Sequence, residues 1–393
     1  MDLNALLQTA VERGGSDLHL KVLSPPMARI DGALTPIGDR PLTDEDVESA
    51  LAVVTQRTPA KRESFHQTGD LDTAYMAVGI GRFRVNGFRQ RGAISFAFRH
   101  VPKEVPSFQK LGLPAGVEKL ADEHRGLVLV TGATGSGKST TLAAMIDQIN
   151  RTRRQHIVTI EDPIEIVHQD RGCIVNQREV GLDTESFMQA LRRVLRQDPD
   201  VILIGELRDE ESAKAALQAA ESGHFVLSTM HTIDAAETVG RLIEFFPGGK
   251  QMMIRQILAG VLRGVVSQRL LPRKGGGGRV AAVEVMVNTA RIADLIREPE
   301  KTEGITEALE EGSFHQMQSF AQHLVELVLE DVVDFETAAA AATNRHDFEI
   351  SVEQALRRKQ ALEAGSMSAF EAGDIGAEDP PEEEPLGLRL AGT

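Results

Sequence analysis

Ser16–Val22 reads SDLHLKV, with apolar and polar side chains alternating, and this predicts a half-buried strand. A helically spaced segment, LNALLQTAVERG, precedes it from Leu3. SPPMARIDGALTPI then predicts a turn, a strand, an Asp31–Gly32 hairpin signal and a returning strand. LTDEDVESALAVVT carries apolar residues at helical spacing behind a Thr43 N-cap. GRFRVNGFRQRGAISFAFRHV predicts two more strands, with arginines on alternate positions. These elements make residues 1–101 one small α/β domain.

PKEVPSFQKLGLP is punctuated by proline, which places a linker over residues 102–122. From GLVLVTG onward, short apolar runs alternate with helical segments. That pattern predicts a parallel sheet flanked by helices over residues 123–350. Beyond about Val280 the pattern becomes mainly helical. KGGGGR, Lys274 to Arg279, reads as a flexible loop. Residues 351–393 read as a terminal helix and then an acidic, proline-bearing tail. From about Gly365 that tail is poor in core-forming residues, which predicts disorder.

Charge narrows the partners. The formal net charge is −15, and residues 371–393 hold seven acids against one arginine. This argues against indiscriminate binding to nucleic acid or acidic membranes. No apolar run approaches the roughly 18–20 residues of a membrane span. The polar, acid-bearing N-terminus does not read as a signal peptide, so a cytoplasmic protein is expected. Cys173 is the only cysteine, which excludes an intramolecular disulfide and a cysteine-pair zinc site.

Chemistry enters at GLVLVTGATGSGKSTT. A buried strand, Leu127–Thr131, leads into G-x-x-x-x-G-K-S from Gly132 to Ser139, and a helix follows. The loop Gly132, Ala133, Thr134, Gly135, Ser136, Gly137, Lys138, Ser139 and Thr140 is expected to bind the phosphates of a purine nucleoside triphosphate. Glycines let backbone N–H groups turn toward phosphate oxygens, and the helix adds its positive N-terminal end. Lys138 is expected to reach the β- and γ-phosphates, and the Ser139 hydroxyl to sit on Mg²⁺.

Two further strands end in acids. VILI, Val201–Ile204, runs into Gly205–Glu206, and Glu206 is expected to be the catalytic carboxylate. HIVTIEDP ends in Glu161 and Asp162, expected to position Mg²⁺ or water at the carboxyl edge of the sheet. SGHFVLSTMH holds His224 and His231. An extended strand separates their Cα atoms by roughly 23 Å, too far to share a metal. His231 falls at the same edge as Lys138 and Glu206, where it could read the γ-phosphate; a structural role is the alternative. Arg82, Arg84, Arg89, Arg91 and Arg99 crowd the last strands of the N-terminal domain. A solvated strand face and arginine fingers on a neighbouring subunit's nucleotide both fit them. RTRR, Arg151 to Arg154, reads as a helix cap meeting solvent.

GATGSGKSTT, TIEDPIEIVH, RQDPDVILIGELRD and GHFVLSTMHTIDAAETVGRLIEFFP resemble, in order, the Walker A, Asp box, Walker B and His box of the secretion ATPases. SDLHL, PPMARIDG, GRFRVNGF and SQRLLPRKGGGGRVAAVEVMVNTARIADLIRE narrow the resemblance to the type IV pilus retraction, or twitching-motility, branch. The resemblance covers residues 1–345. It implies a PAS-like N-terminal α/β domain, a RecA-like P-loop NTPase domain and a helical C-terminal region. It implies ATP and Mg²⁺ as ligands, with ATP between domains and N-terminal arginines completing the site. Arg82, Arg84 and Arg99 are the candidate fingers. It implies Lys138 and Ser139 on phosphate and Mg²⁺, Glu161 in the Asp box, Glu206 as catalytic glutamate and His231 in the His box.

The resemblance also implies a homohexamer whose domain rotations act on the inner-membrane pilus platform protein. The protein would meet the membrane's inner face only through partners, without direct nucleic acid. A paralogous retraction ATPase is a further partner that the resemblance allows. The sequence lacks the four-cysteine zinc element usual in the extension branch. Ala133 stands where the family usually has proline, and EGSFHQMQSFAQHL departs from the usual C-terminal pattern. An accessory motor, a RecA-like nucleic-acid motor and a non-hydrolysing scaffold are the alternatives. The −15 charge opposes the second, and intact Lys138 and Glu206 oppose the third.

Overall fold

The computed structural model describes residues 1–102 and 104–363. The acidic tail lies outside the described residues. The N-terminal part runs α1 (Leu3–Glu12), β1 (Asp17–Lys21), β2 (Met27–Ile30), β3 (Ala33–Pro36), α2 (Asp44–Val54), α3 (Pro59–Thr68), β4 (Asp70–Ala77), β5 (Gly81–Gln90) and β6 (Ala93–Val101). Its strands form one six-stranded antiparallel sheet in the order β3-β2-β1-β6-β5-β4. The predicted Asp31–Gly32 hairpin closes β2 onto β3 with both residues at positive φ, 48° and 83°, as a two-residue primed turn requires. One sheet face packs on α1 and α2 through Leu3, Leu7, Val47, Leu51, Phe96 and Phe98. Thr43 caps α2 as expected, in a reciprocal capping box with Asp46. Asp46 also receives Arg40 at 2.7 Å; that hydrogen bond and the Thr43 N–H hold its carboxyl well below the usual range.

Two short helices follow, α4 (Phe108–Leu111) and α5 (Ala115–Ala121). The proline-punctuated stretch read as a linker therefore carries structure. Phe108, Val117, Leu120 and Ala121 are buried in the same cluster as Val128 and Val130. Its apolar residues anchor it, where the prolines alone suggested a tether.

Next come β7 (Gly126–Thr131), α6 (Lys138–Thr152), β8 (His156–Glu161), β9 (Ile174–Glu179), α7 (Phe187–Val194), β10 (Val201–Ile204), α8 (Glu210–Glu221), β11 (Phe225–Met230), α9 (Ala235–Glu244), α10 (Gly248–Val261), β12 (Leu262–Pro272), β13 (Arg279–Val287) and α11 (Ala290–Arg297). The strands form a seven-stranded sheet in the order β13-β12-β7-β11-β10-β8-β9. The pairs from β12 through β9 are parallel. Strand β7 is buried on both faces: Leu127 and Leu129 meet one helical layer, Val128 and Val130 the other. Such double burial explains its unbroken apolar run. Each of these side chains contributes about 1.5–3 kcal/mol on burial. Strand β13 corrects the expectation that helix dominates from Val280. Its RVAAVEVMV is buried on both faces, so no alternation advertises it. Arg153 corrects another: it is not a solvent-facing cap, because its guanidinium donates to the carbonyls of Ala121 and Glu123 at 2.9 and 2.8 Å.

The described chain divides into two compact units, Met1–Leu271 with Arg279–Ser319, and Pro272–Gly278 with the chain from Phe320 on. The first ends in α12 (Ile305–Glu310). The second contains α13 (Phe320–Leu329), α14 (Phe335–Ala341) and α15 (Arg345–Glu363). Buried Phe348 meets the exposed ring of Phe335 in a tilted pair, with centroids 5.8 Å apart. The loop read as flexible, KGGGGR, has all four glycines at positive φ, and its Lys274 pairs with Asp331.

Candidate nucleotide-binding site

The P-loop joins β7 to α6 at the carboxyl edge of the parallel sheet. Gly132 is required there: at φ 136°, a Cβ would lie 2.4 Å from the Gln268 carbonyl oxygen. Gly135 and Gly137 also sit at positive φ, 79° and 95°. Thr131 Oγ1 donates to Ser267 Oγ at 3.0 Å and Gln268 Nε2 to Thr141 Oγ1 at 2.9 Å, so β12 braces the loop and the start of its helix. Lys138 folds over the loop, donating from Nζ to the carbonyls of Gly132 and Ala133 at 2.7 and 3.0 Å. Burial pushes its ammonium pKa down, while Glu206 and Glu165 pull the other way.

Strand β10 delivers Glu206. Gly205 sits tightly beside it: a Cβ there would lie 3.2 Å from the Ile160 carbonyl oxygen. Thr229 Oγ1 donates to the Gly205 carbonyl at 2.7 Å, and Leu207 N–H to the Thr229 carbonyl at 3.0 Å, so β11 fixes the turn. One Glu206 oxygen meets Arg208 Nη2 at 2.8 Å and the other His231 Nε2 at 3.2 Å. Asp209 and Ser212 form a capping box that pins the backbone just past Arg208.

Strand β8 ends in Glu161, followed by the acid loop 162–168. Glu161 Oε1 accepts from Thr159 Oγ1 at 2.6 Å and Gln177 Nε2 at 3.0 Å. Burial pushes its carboxyl pKa up, and those two hydrogen bonds oppose the rise. His168 closes the loop. Burial lowers its imidazole to about 4, so it is neutral over the physiological range.

These elements enclose one cavity of about 480 Å³. Among the residues expected at the site, Thr134, Gly135, Lys138, Ser139, Glu161, Asp162, Glu206 and His231 line it. Gly132, Ala133, Ser136, Gly137 and Thr140 shape the loop behind it. The sequence reading missed Glu165, His168 and Arg208, which also line it. Glu165 is four residues past Glu161, and only the fold of the loop returns it to the cavity. His224 is remote from it, held by Ser222 Oγ and the Ala219 carbonyl at 2.9 and 3.0 Å, at the other end of β11. The extended strand does separate the two histidines, and there is no metal-type cluster of histidine, cysteine or acid among the described residues.

The three candidate fingers do not line the cavity. Arg82 is buried against Glu179, at 2.5 Å. Arg99 meets Asp17 at 2.9 Å. Arg84 is exposed and lies directly opposite Arg99 in the β5–β6 register. Like charges placed so repel, and Asp17 offsets the Arg99 charge.

The residues present suit a triphosphate and a hard cation. The Ser136 hydroxyl is buried in the loop without a partner, and the loop backbone has no room for a Cβ at Gly132. The Ser139 hydroxyl and the Asp162 and Glu165 carboxylates bring to the cavity wall hard oxygen donors of the kind Mg²⁺ takes.

A parallel sheet with a P-loop on one strand and an acid on a strand beyond it defines the class, a RecA-like P-loop ATPase. Residues 1–357 match the family model described as type II/IV secretion system protein, and the chain belongs to that family. It is 43% identical over 348 residues to the type IV pilus retractation ATPase PilT of Pseudomonas aeruginosa, covering 88% of this chain and 100% of that one. It is 41% identical over 353 residues to the type IV pilus ATPase PilU of the same organism, covering 90% and 91%. A crystal structure titled as the pilus retraction motor PilT with bound ADP superposes with a TM-score of 0.80 at 43% identity, covering 89% of this chain and 99% of that one. The resemblance read from the four boxes is thus borne out, as is the α/β fold with a helical C-terminal region.

Proposed function

We propose that this chain is an ATP-hydrolysing motor that drives type IV pilus retraction. The observation that carries the reading is the convergence of Lys138, Ser139, Asp162, Glu206 and His231 on one cavity at the carboxyl edge of the sheet. In this reading ATP and Mg²⁺ bind there, with Ser139 and Asp162 holding the metal. Mg²⁺, when bound, would supply positive charge to the nucleotide's phosphates. Lys138 leaves the Gly132 and Ala133 carbonyls to neutralise phosphate charge. Glu206 orients the attacking water and takes its proton, once one of its oxygens is released by Arg208 or His231. His231 senses the γ-phosphate from the same edge. Glu161, held by Thr159 and Gln177, sets the position of the acid loop.

Arg84 and Arg99, unused by the cavity of their own chain, support a nucleotide site completed from a neighbouring subunit in a homohexamer. Domain rotation would then pass to the inner-membrane platform protein. Among the described residues no helix is long and apolar enough to cross a membrane, so such recruitment would rest on partners. A second reading, an accessory motor working beside a paralogous retraction ATPase, is supported by the nearly equal identity to PilU. Complementation separates the two. Restored retraction in a strain lacking every retraction ATPase supports the main motor. Restoration only when a second retraction ATPase is present supports the accessory one. Undiminished complementation by Lys138→Ala would remove ATP turnover from either account.

A further inference from the structure

Edge strand β9 holds the acid loop with two side chains on one face, Gln177 and Glu179. Gln177 donates to the Ile166 carbonyl at 2.9 Å, and its oxygen accepts the His168 N–H at 2.8 Å. Glu179 Oε2 accepts the Ile164 N–H at 3.0 Å. That same oxygen receives Arg82 Nη2 from β5 of the other sheet. Arg82 is only 9% exposed and Glu179 5%. Charges so far from water persist when each supplies the other's partner. The backbone beneath the carboxylate is fixed too, because Asp183 Oδ2 accepts the Glu179 N–H at 2.8 Å. A second tie joins the same parts: Val167 N–H reaches the Pro102 carbonyl at 3.4 Å, just past β6.

We propose that Glu179 is a positioning residue that couples the N-terminal sheet to the acid loop. Arg82 holds the carboxylate where it accepts the Ile164 amide, and the loop then presents Asp162 and Glu165 to the cavity. A shift of the N-terminal sheet is therefore felt at the acids without any side chain of that sheet entering the cavity. Arg82 acts here through Glu179, whereas a finger would act on phosphate directly. The inference rests on the reading of the cavity as an ATPase site.

The test is a double-mutant cycle in the full-length protein with Arg82→Gln, Glu179→Gln and both together. Steady-state ATPase kinetics are measured beside hydrogen exchange of the nucleotide-free protein. Each single change is expected to lower kcat about tenfold with KM for ATP within about twofold. The double variant should be no worse than the poorer single, because both break one link. Amides of residues 162–168 should exchange faster in all three. Losses that multiply in the double variant, or unchanged exchange over 162–168, would overturn the proposal. Where Glu179→Gln fails to fold, Arg82→Gln alone decides: faster exchange over 162–168 supports the link, and unchanged exchange overturns it. Undiminished turnover in Lys138→Ala would instead sink the ATPase reading, and the exchange arm would still be read.

Discussion

Gly132 shows how much one side chain can decide. Its φ of 136° and the Gln268 carbonyl beside it leave no place for a methyl group. Gly132→Ala is expected to cost about 1–3 kcal/mol in backbone strain alone and to abolish nucleotide binding, as melting and equilibrium binding would reveal. Glu161 carries a pH dependence. Burial raises its pKa in the folded chain, so the stability it contributes is full below the unfolded value and is lost as pH rises through the folded one. Melting temperatures of Glu161→Gln, compared with wild type from acid to neutral pH, should lack that part of the decline; parallel curves would contradict it. At this scale the sequence placed Lys138, Glu206 and His231 at one edge, because Glu206 and His231 fall just past strand ends and Lys138 opens α6 behind the glycine loop. Arg208 and Gln177 were not legible. Their roles depend on distance to Glu206 and to Glu161, and neither spacing nor composition encodes that.

Among the elements, those with a local signature were read correctly. Strand, glycine loop and helix in register announced β7 and α6, and helical spacing behind the Thr43 N-cap announced α2. Thr43→Ala should lower stability by about 1 kcal/mol while leaving ATPase activity intact, since α2 packs on the N-terminal sheet, away from the cavity. Denaturant unfolding beside a turnover assay checks both halves. Strand β9 escaped notice because an edge strand of mixed burial, IVNQRE, has neither a clean alternation nor an apolar run. It is nonetheless the element that ties the acid loop down, and the proposed coupling through Glu179 runs along it. Strand β13 escaped for the opposite reason, being apolar on both faces.

For the whole molecule, charge and nucleotide chemistry set the expectations. A net charge of −15 opposes a polynucleotide partner, so ATPase activity should not change when DNA is added. Several-fold stimulation by DNA would revive the nucleic-acid motor. Deleting residues 366–393 removes acidic chain beyond the described residues and should leave ATP turnover unchanged, as purified-protein kinetics would show. The most direct test of the central claim is Glu206→Gln, assayed for ATP binding and for turnover on the same preparation. The account predicts ATP affinity within about threefold of wild type and a kcat lowered by about 100-fold or more. Wild-type turnover in that variant would contradict it.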